Sequence, residues 1–190
     1  MENKKYELTD ETKNYNGSTL YRIKALKDFG NIKAGDLGGY VESENNLSQK
    51  GDCWVIGDSL VLDNARVVEN AYVSGNTIVK DFTRVCGNAF IFGKVELLNN
   101  VHISGNAKIS GEVALTDNVI VEDNAKLSGK IAVTGNTIFR GDTVLDGEYY
   151  IQDLNSYCAP PTFKPEPDYA AYNSMMRISP FSNLCNDVIK

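Results

Sequence analysis

The chain has 190 residues, of which 42% are hydrophobic and 23% charged, with 25 acidic against 19 basic side chains and a formal net charge of -6. That length suits one ordinary domain. The acidic balance excludes non-specific nucleic-acid binding through a broad basic face, so no long nucleic acid is expected as a partner, while a local cationic pocket stays open.

The opening stretch MENKKYELTDETKNYNGS is polar where a signal peptide needs an apolar core, and no apolar run approaches the roughly 18 residues of a membrane span. The expectation is a soluble, cytoplasmic protein with no membrane partner. Cys53, Cys86, Cys158 and Cys185 stand apart without CxxC or Cys/His spacing, so no metal site and no disulfide framework is expected, and the thiols are read as reduced. Within residues 1–45, LYRIKAL (20–26) and GGYVES (38–43) flank the Gly-rich FGNIKAGDLGG, which reads as strand, turn, strand and as an N-terminal β cap.

Residues 46–147 divide without insertion into seventeen hexapeptides, from NLSQKG and DCWVIG through NAKISG to DTVLDG. Position four is Val, Ile, Leu or Phe in sixteen of them, the exception being Gln49, and position one is Asn or Asp in thirteen. The pattern predicts a short strand with positions two and four inward and three and five outward, then a turn at positions six and one that Gly, Asn and Asp tolerate. Three such strands close an eighteen-residue triangular coil, so residues eighteen apart stack about 4.8 Å apart, and the units make nearly six coils.

An unbroken pattern of NAxVxG type resembles the single-stranded left-handed parallel β-helix of the hexapeptide-repeat superfamily, an all-β fold, and AGDLGGYVESENNLSQKGDCWV (34–55) resembles the segment that leads into the repeat in its YdcK-like bacterial and phage branch. The resemblance implies the handedness, a homotrimer as the common assembly, and acyl transfer as a frequent activity. After 147 the chain turns aromatic and Pro-containing, and EPDYAAYNSMMRIS (166–179) reads as a short helix inside a C-terminal tail, 148–190, that caps the prism.

Sorting the outward positions by the eighteen-residue coil gives three faces. On the first, position three reads Trp54, Tyr72, Phe90, Lys108, Lys126 and Val144, with Ile56 and Phe92 at position five. Its upper half is an apolar patch that needs a cover. The second carries Leu60 and Ile78 above Glu96, with Leu62 and Leu98 beside them. Trimer contacts are the expected cover for both, with the cap and tail taking the remainder. The third reads Arg66, Arg84, His102, Ile120 and Ile138. Like charges on adjacent rungs are unfavourable unless neutralised, either by acids such as Asp63, Glu69 and Asp81 or by an anionic ligand, for which Arg suits phosphate or carboxylate.

The expected function is therefore a non-catalytic trimer that holds a small anionic or nucleotide-like molecule at inter-subunit clefts through Arg66, Arg84 and His102, with Trp54, Tyr72 and Phe90 at the interface or stacked on a base. One version, by analogy with the look-alikes, is a phage-type anti-defence sponge. No cofactor is expected for that reading. The first alternative is an acyltransferase that uses coenzyme A thioesters, with His102, the only histidine, as the sole candidate for the catalytic general base. The second is a structural or protein-binding prism. One histidine cannot reproduce the three-histidine zinc site of the related carbonic-anhydrase branch, Ser74, Ser104, Ser110 and Ser128 fill repetitive position-five slots, and the glycines follow the turn rhythm rather than any phosphate-binding motif.

Overall fold

Positions two and four of every unit from Cys53 to Leu145 face inward and are buried in a computed structural model of the chain, which describes residues 4–153. Each buried Val, Ile or Leu contributes about 1.5 to 3 kcal/mol of apolar burial, so the line of inner side chains is one continuous core. The result is a parallel β-solenoid of about 6 turns in a nearly all-β chain. The rungs follow the expected spacing, with Trp54 on Tyr72, Leu60 on Ile78 and Arg66 on Arg84, each eighteen residues apart. The first and second faces belong to one sheet and the third forms a separate five-stranded sheet.

The three corners differ, and the difference is written in residue type. In the lower coils the first and second faces run through their shared corner as continuous strands, Phe90–Leu97, Lys108–Leu115, Lys126–Thr134 and Val144–Gln152. That corner holds Gly75, Gly93, Gly111, Gly129 and Gly147 at φ of 83°, 122°, 95°, 103° and 134°, beyond the left-handed well near 57° that an L residue can occupy. At the corner leading into the third face φ is 57° to 68° at Asp63, Asp81, Asn99 and Asp117, which are accommodated there, and 81° at Gly135. Their side chains brace the next coil: Asp63 accepts the Asp81 N–H at 3.3 Å and Asp81 accepts the Asn99 N–H at 3.0 Å. The corner leading into the first face carries an amide ladder, Asn70 to Asn88, Asn106, Asn124 and Asp142, with steps of 3.1, 3.1, 3.0 and 2.9 Å.

The upper end departs from the strict repeat. Tyr40 stacks on Leu60 and Leu47 on Val67, a spacing of twenty rather than eighteen, so the first hexapeptide slips by two and the register that the sequence extends back to Asn46 holds only from the rung of Trp54. Leu47 takes the inner slot. Gln49, the lone polar residue at position four, instead clasps the N-terminal strand: its Oε1 accepts the Lys5 N–H at 2.8 Å and its Nε2 donates to the Tyr6 carbonyl at 3.2 Å.

That cap is larger than strand, turn, strand. Strands β1 (Tyr6–Tyr15) and β2 (Ser18–Ala25) form an antiparallel hairpin, β2 pairs with β3 (Leu37–Val41), and β3 lies parallel on the Leu60 rung. The hairpin covers the upper second face, where Leu20, Tyr40, Leu60, Leu62 and Ile78 form one buried cluster flanked by Tyr15. Over the first face Tyr6 and Phe29 meet Trp54 edge-on, with ring centroids at 6.0 and 5.3 Å. Lys5 is buried with them and donates to Cys53 O at 2.9 Å and Gly51 O at 3.2 Å. The cap thus covers Trp54 on the first face and the Leu60 and Ile78 column on the second, while Phe90 and Phe92 lower on the first face stay exposed. The last rung continues to Gln152, beyond the repeat boundary at 147; the helix expected over 166–179 lies outside the described residues.

The corners supply a test of this account. A Cβ on Gly111 would meet the Gly129 carbonyl oxygen at 2.4 Å, whereas one on Gly141, at φ 65°, meets no described residue within 4 Å. Gly111→Ala should therefore destabilise by about 3 kcal/mol, while Gly141→Asn should change stability by less than about 1 kcal/mol, both read from urea denaturation midpoints. Equal costs would show that the wide φ of Gly111 and its close approach to Gly129 impose no constraint of their own.

Candidate functional site

The third face is the one on which the outward column stands clear of the N-terminal cap. Arg66, Arg84 and His102 sit in register on successive parallel rungs, with both arginines exposed and His102 half-buried. Below them Ile120 and Ile138 continue the column, half-buried. Every member occupies position three, whose side chain must point outward because positions two and four fill the core.

Of the three acids expected to neutralise the arginines, only one comes near. Glu69 Oε1 stands 3.9 Å from Arg84 Nη2, and its Oε2 accepts the Gly87 N–H at 2.8 Å. Both partners of that ion pair are about half exposed, at 46% and 57%, so the contact is long, wet and worth little. Asp63 and Asp81 instead serve the corner ladder described above. Arg66 has no side-chain hydrogen bond or ion pair with any described residue. Burial, and then the adjacent Arg84 charge, hold the His102 imidazole below its usual value, opposed by Glu122 and Glu69. A neutral imidazole beside two guanidiniums can donate or accept a hydrogen bond, and it can take a proton from an acceptor hydroxyl.

The aromatic residues assigned to the same site stand elsewhere. Trp54, Tyr72 and Phe90 line the first face, across the asparagine-ladder corner from the arginines. Trp54 is 1% exposed beneath Tyr6 and Phe29, and a buried indole offers no face to a ligand, so its assignment as a stacking residue is withdrawn. The Tyr72 hydroxyl lies so close to the cap that a Cβ on Gly30 would sit 2.7 Å from it. Phe90 keeps an exposed ring, and Phe92, which the sequence reading treated only as bulk, is exposed beside it. Within one chain, then, the cations and the aromatics do not share a pocket.

Glu96 carries an ionisation that its place in the column does not reveal. This side chain is 6% exposed on the second face, between Ile78 and Ala114, and its Oε2 has no hydrogen-bond partner. Burial pushes its carboxyl up to about 8, against the opposing charges of Lys94 and Lys80. The signal present in the sequence was a carboxylate in a column with Leu60 and Ile78; what could not be read was that the hairpin covers that column. Among the described residues no cluster of His, Cys, Asp or Glu is arranged to hold a metal ion, and no helix is long and apolar enough to cross a membrane. No protein-family model matches this sequence, and no curated protein matches it.

Two titrations follow. The His102 imidazole should titrate below 6.5 by NMR, and Arg84→Ala should raise its midpoint by removing a neighbouring positive charge; an unchanged midpoint would separate the two residues electrostatically. Glu96 is neutral in the fold and ionised in the unfolded chain between its ordinary value of 4.5 and about 8. Its contribution to stability is therefore complete below 4.5 and is lost as pH rises towards 8. Glu96→Gln should match the native protein near pH 4.5 and exceed it by about 2 to 4 kcal/mol at pH 9, measured by chemical denaturation at each pH.

Proposed function

We propose that this chain is a hexapeptide-repeat β-helix protein of the left-handed superfamily, close to its YdcK-like branch, that assembles as a cytoplasmic homotrimer and holds a small anionic or nucleotide-like molecule without transforming it. The observation that carries this reading is the pair of in-register guanidiniums, Arg66 and Arg84, whose one acidic contact is Glu69 at 3.9 Å. Stacked cations with so little neutralisation favour a bound anion, since a phosphate or carboxylate shared between adjacent rungs converts repulsion into two charge-assisted hydrogen bonds. His102 supplies a third polar contact at the foot of the pair. In a trimer the third face of one subunit opposes the first face of the next, and that cleft is where Phe90, with Tyr72 behind it, would complete the site. A phage-type sponge that sequesters a defence signal is one form of this function.

Acyl transfer is the second reading, favoured by the burial and the Arg84 charge that lower the His102 pKa and so keep the imidazole neutral and able to accept a proton. It would require an acyl-coenzyme A donor in the same cleft. A structural or protein-binding prism is the third.

Native mass spectrometry of freshly purified protein tests the first reading directly. It should show three subunits with a co-purified small molecule, released unmodified on heating, and Arg66→Ala combined with Arg84→Ala should lower its occupancy at least tenfold. A monomer with nothing bound would refute the cleft. Thiol release from acyl-coenzyme A that His102→Ala abolishes would instead establish the enzyme.

A further inference from the structure

Below the cap, the first face holds a second set of exposed cations that the third-face reading does not use. Phe90, Lys108 and Lys126 stack in register at position three, and Phe92, Ser110 and Ser128 stack at position five. Phe90 is 44% and Phe92 53% exposed, so two rings two residues apart on one strand form an apolar platform open to solvent. Both lysines are exposed, and among the described residues neither has an acidic partner.

The neighbouring glycine-corner column shows how this fold neutralises charge when it does so internally. There Lys94 stands on Glu112 at 3.0 Å, and Lys130 and Glu148 continue the alternation in register. The position-three column does not alternate: Lys108 stands directly on Lys126, with strands about 4.8 Å apart. Like charges so placed repel unless an anion lies between or across them. Aromatic rings above and two unpaired ammonium groups below are complementary to a molecule that is flat and uncharged at one end and multiply anionic at the other.

We propose that this face is a binding site for a nucleoside polyphosphate, with the base stacked on Phe90 and Phe92 and the phosphates lying down the column to Lys108 and Lys126. Stacking on an aromatic ring is available to every base and is indifferent to its identity. The ammonium groups reach one and two rungs below the rings, about 5 and 10 Å, which is the direction in which a polyphosphate extends from its nucleoside. Asp146 closes the position-five column, where it accepts the Ser128 hydroxyl at 2.6 Å, so a negative charge limits how far an anion runs towards the last rung. The site shares Phe90 with the inter-subunit cleft proposed above but takes its cations from the first face, so it rests on Lys108 and Lys126 and not on Arg66 and Arg84.

Isothermal titration of the full chain with ADP provides the test. Wild-type protein should bind ADP, more weakly as salt is raised. Phe92→Ser and the pair Lys108→Gln with Lys126→Gln should each lower affinity about tenfold or more, and by more than Arg66→Ala with Arg84→Ala does. On unaltered protein, ADP should protect Lys108 and Lys126, but not Lys33, from an amine-reactive label read by peptide mass spectrometry, so the test survives any variant that folds poorly. The proposal is overturned if ADP neither binds nor protects these lysines. It is equally overturned if pyrophosphate binds as tightly as ADP, which removes the base from the interaction, or if a single-stranded oligonucleotide binds more tightly than ADP. Loss of ADP binding in the arginine variant alone would move the nucleotide to the third face and sink this site without touching that reading.

Discussion

Stacking of each residue on its equivalent eighteen positions later is the constraint on which the rest of this molecule depends. Parallel rungs pair only if each coil closes at the same height in the same number of residues, so each corner must turn the chain within one or two residues at positive φ. The penalty for an L residue grows with distance from the left-handed well. The corner joining the first and second faces opens to φ values as wide as 134° at Gly147 and is glycine in every coil, while the corner into the third face holds Asp or Asn at 57° to 68° in four coils and a glycine, Gly135, where it widens to 81°. Once a corner tolerates a side chain, stacking makes that side chain useful: a carboxylate or amide meets the backbone N–H or the amide of the next coil, and the ladders follow.

The same constraint explains what could be read without a structure and what could not. Inner and outer positions, the coil length, the three faces and the columns of Arg66, Arg84 and His102 are consequences of a period, and a period is visible in one sequence. The cap has none. Its hairpin, the burial of Trp54 beneath Tyr6 and Phe29, and the cover over Leu60 and Ile78 depend on contacts between residues with no repeating relation. Gln49 marks the seam. It is the one polar residue at position four because the spacing there is twenty, so its amide holds the N-terminal strand instead of filling the core.

Covering in cis changes what an assembly of this chain has to accomplish. The Leu60 and Ile78 column on the second face and Trp54 on the first are buried by β1, β2 and the Phe29 turn already, which leaves Phe90 and Phe92 as the apolar surface still open. Chemistry that remains exposed is of a different kind: guanidiniums above isoleucines on the third face, aromatic rings above lysines on the first. Glu96 belongs to the covered set. Its carboxyl is kept neutral by the apolar surroundings that the hairpin creates, and the packing of the arm on the second face is thereby tied to a proton.

Net charge hides this arrangement. A formal value of -6 describes the chain, yet acids at the corners and cations at the faces are sorted by the fold itself. Corner positions must turn, and Asp and Asn turn well, so carboxylates accumulate at the edges and are engaged by backbone N–H groups. Face positions must pair across strands, and the long stems of Arg and Lys pack along a sheet while holding their charges clear of it. Corner carboxylates such as Asp63, Glu69, Asp81 and Asp123 are therefore committed to holding coils together. The few cations left on the faces stack without equal opposition, as Lys108 does on Lys126 and Arg66 on Arg84, and it is their local field, not the sum, that a diffusing anion meets.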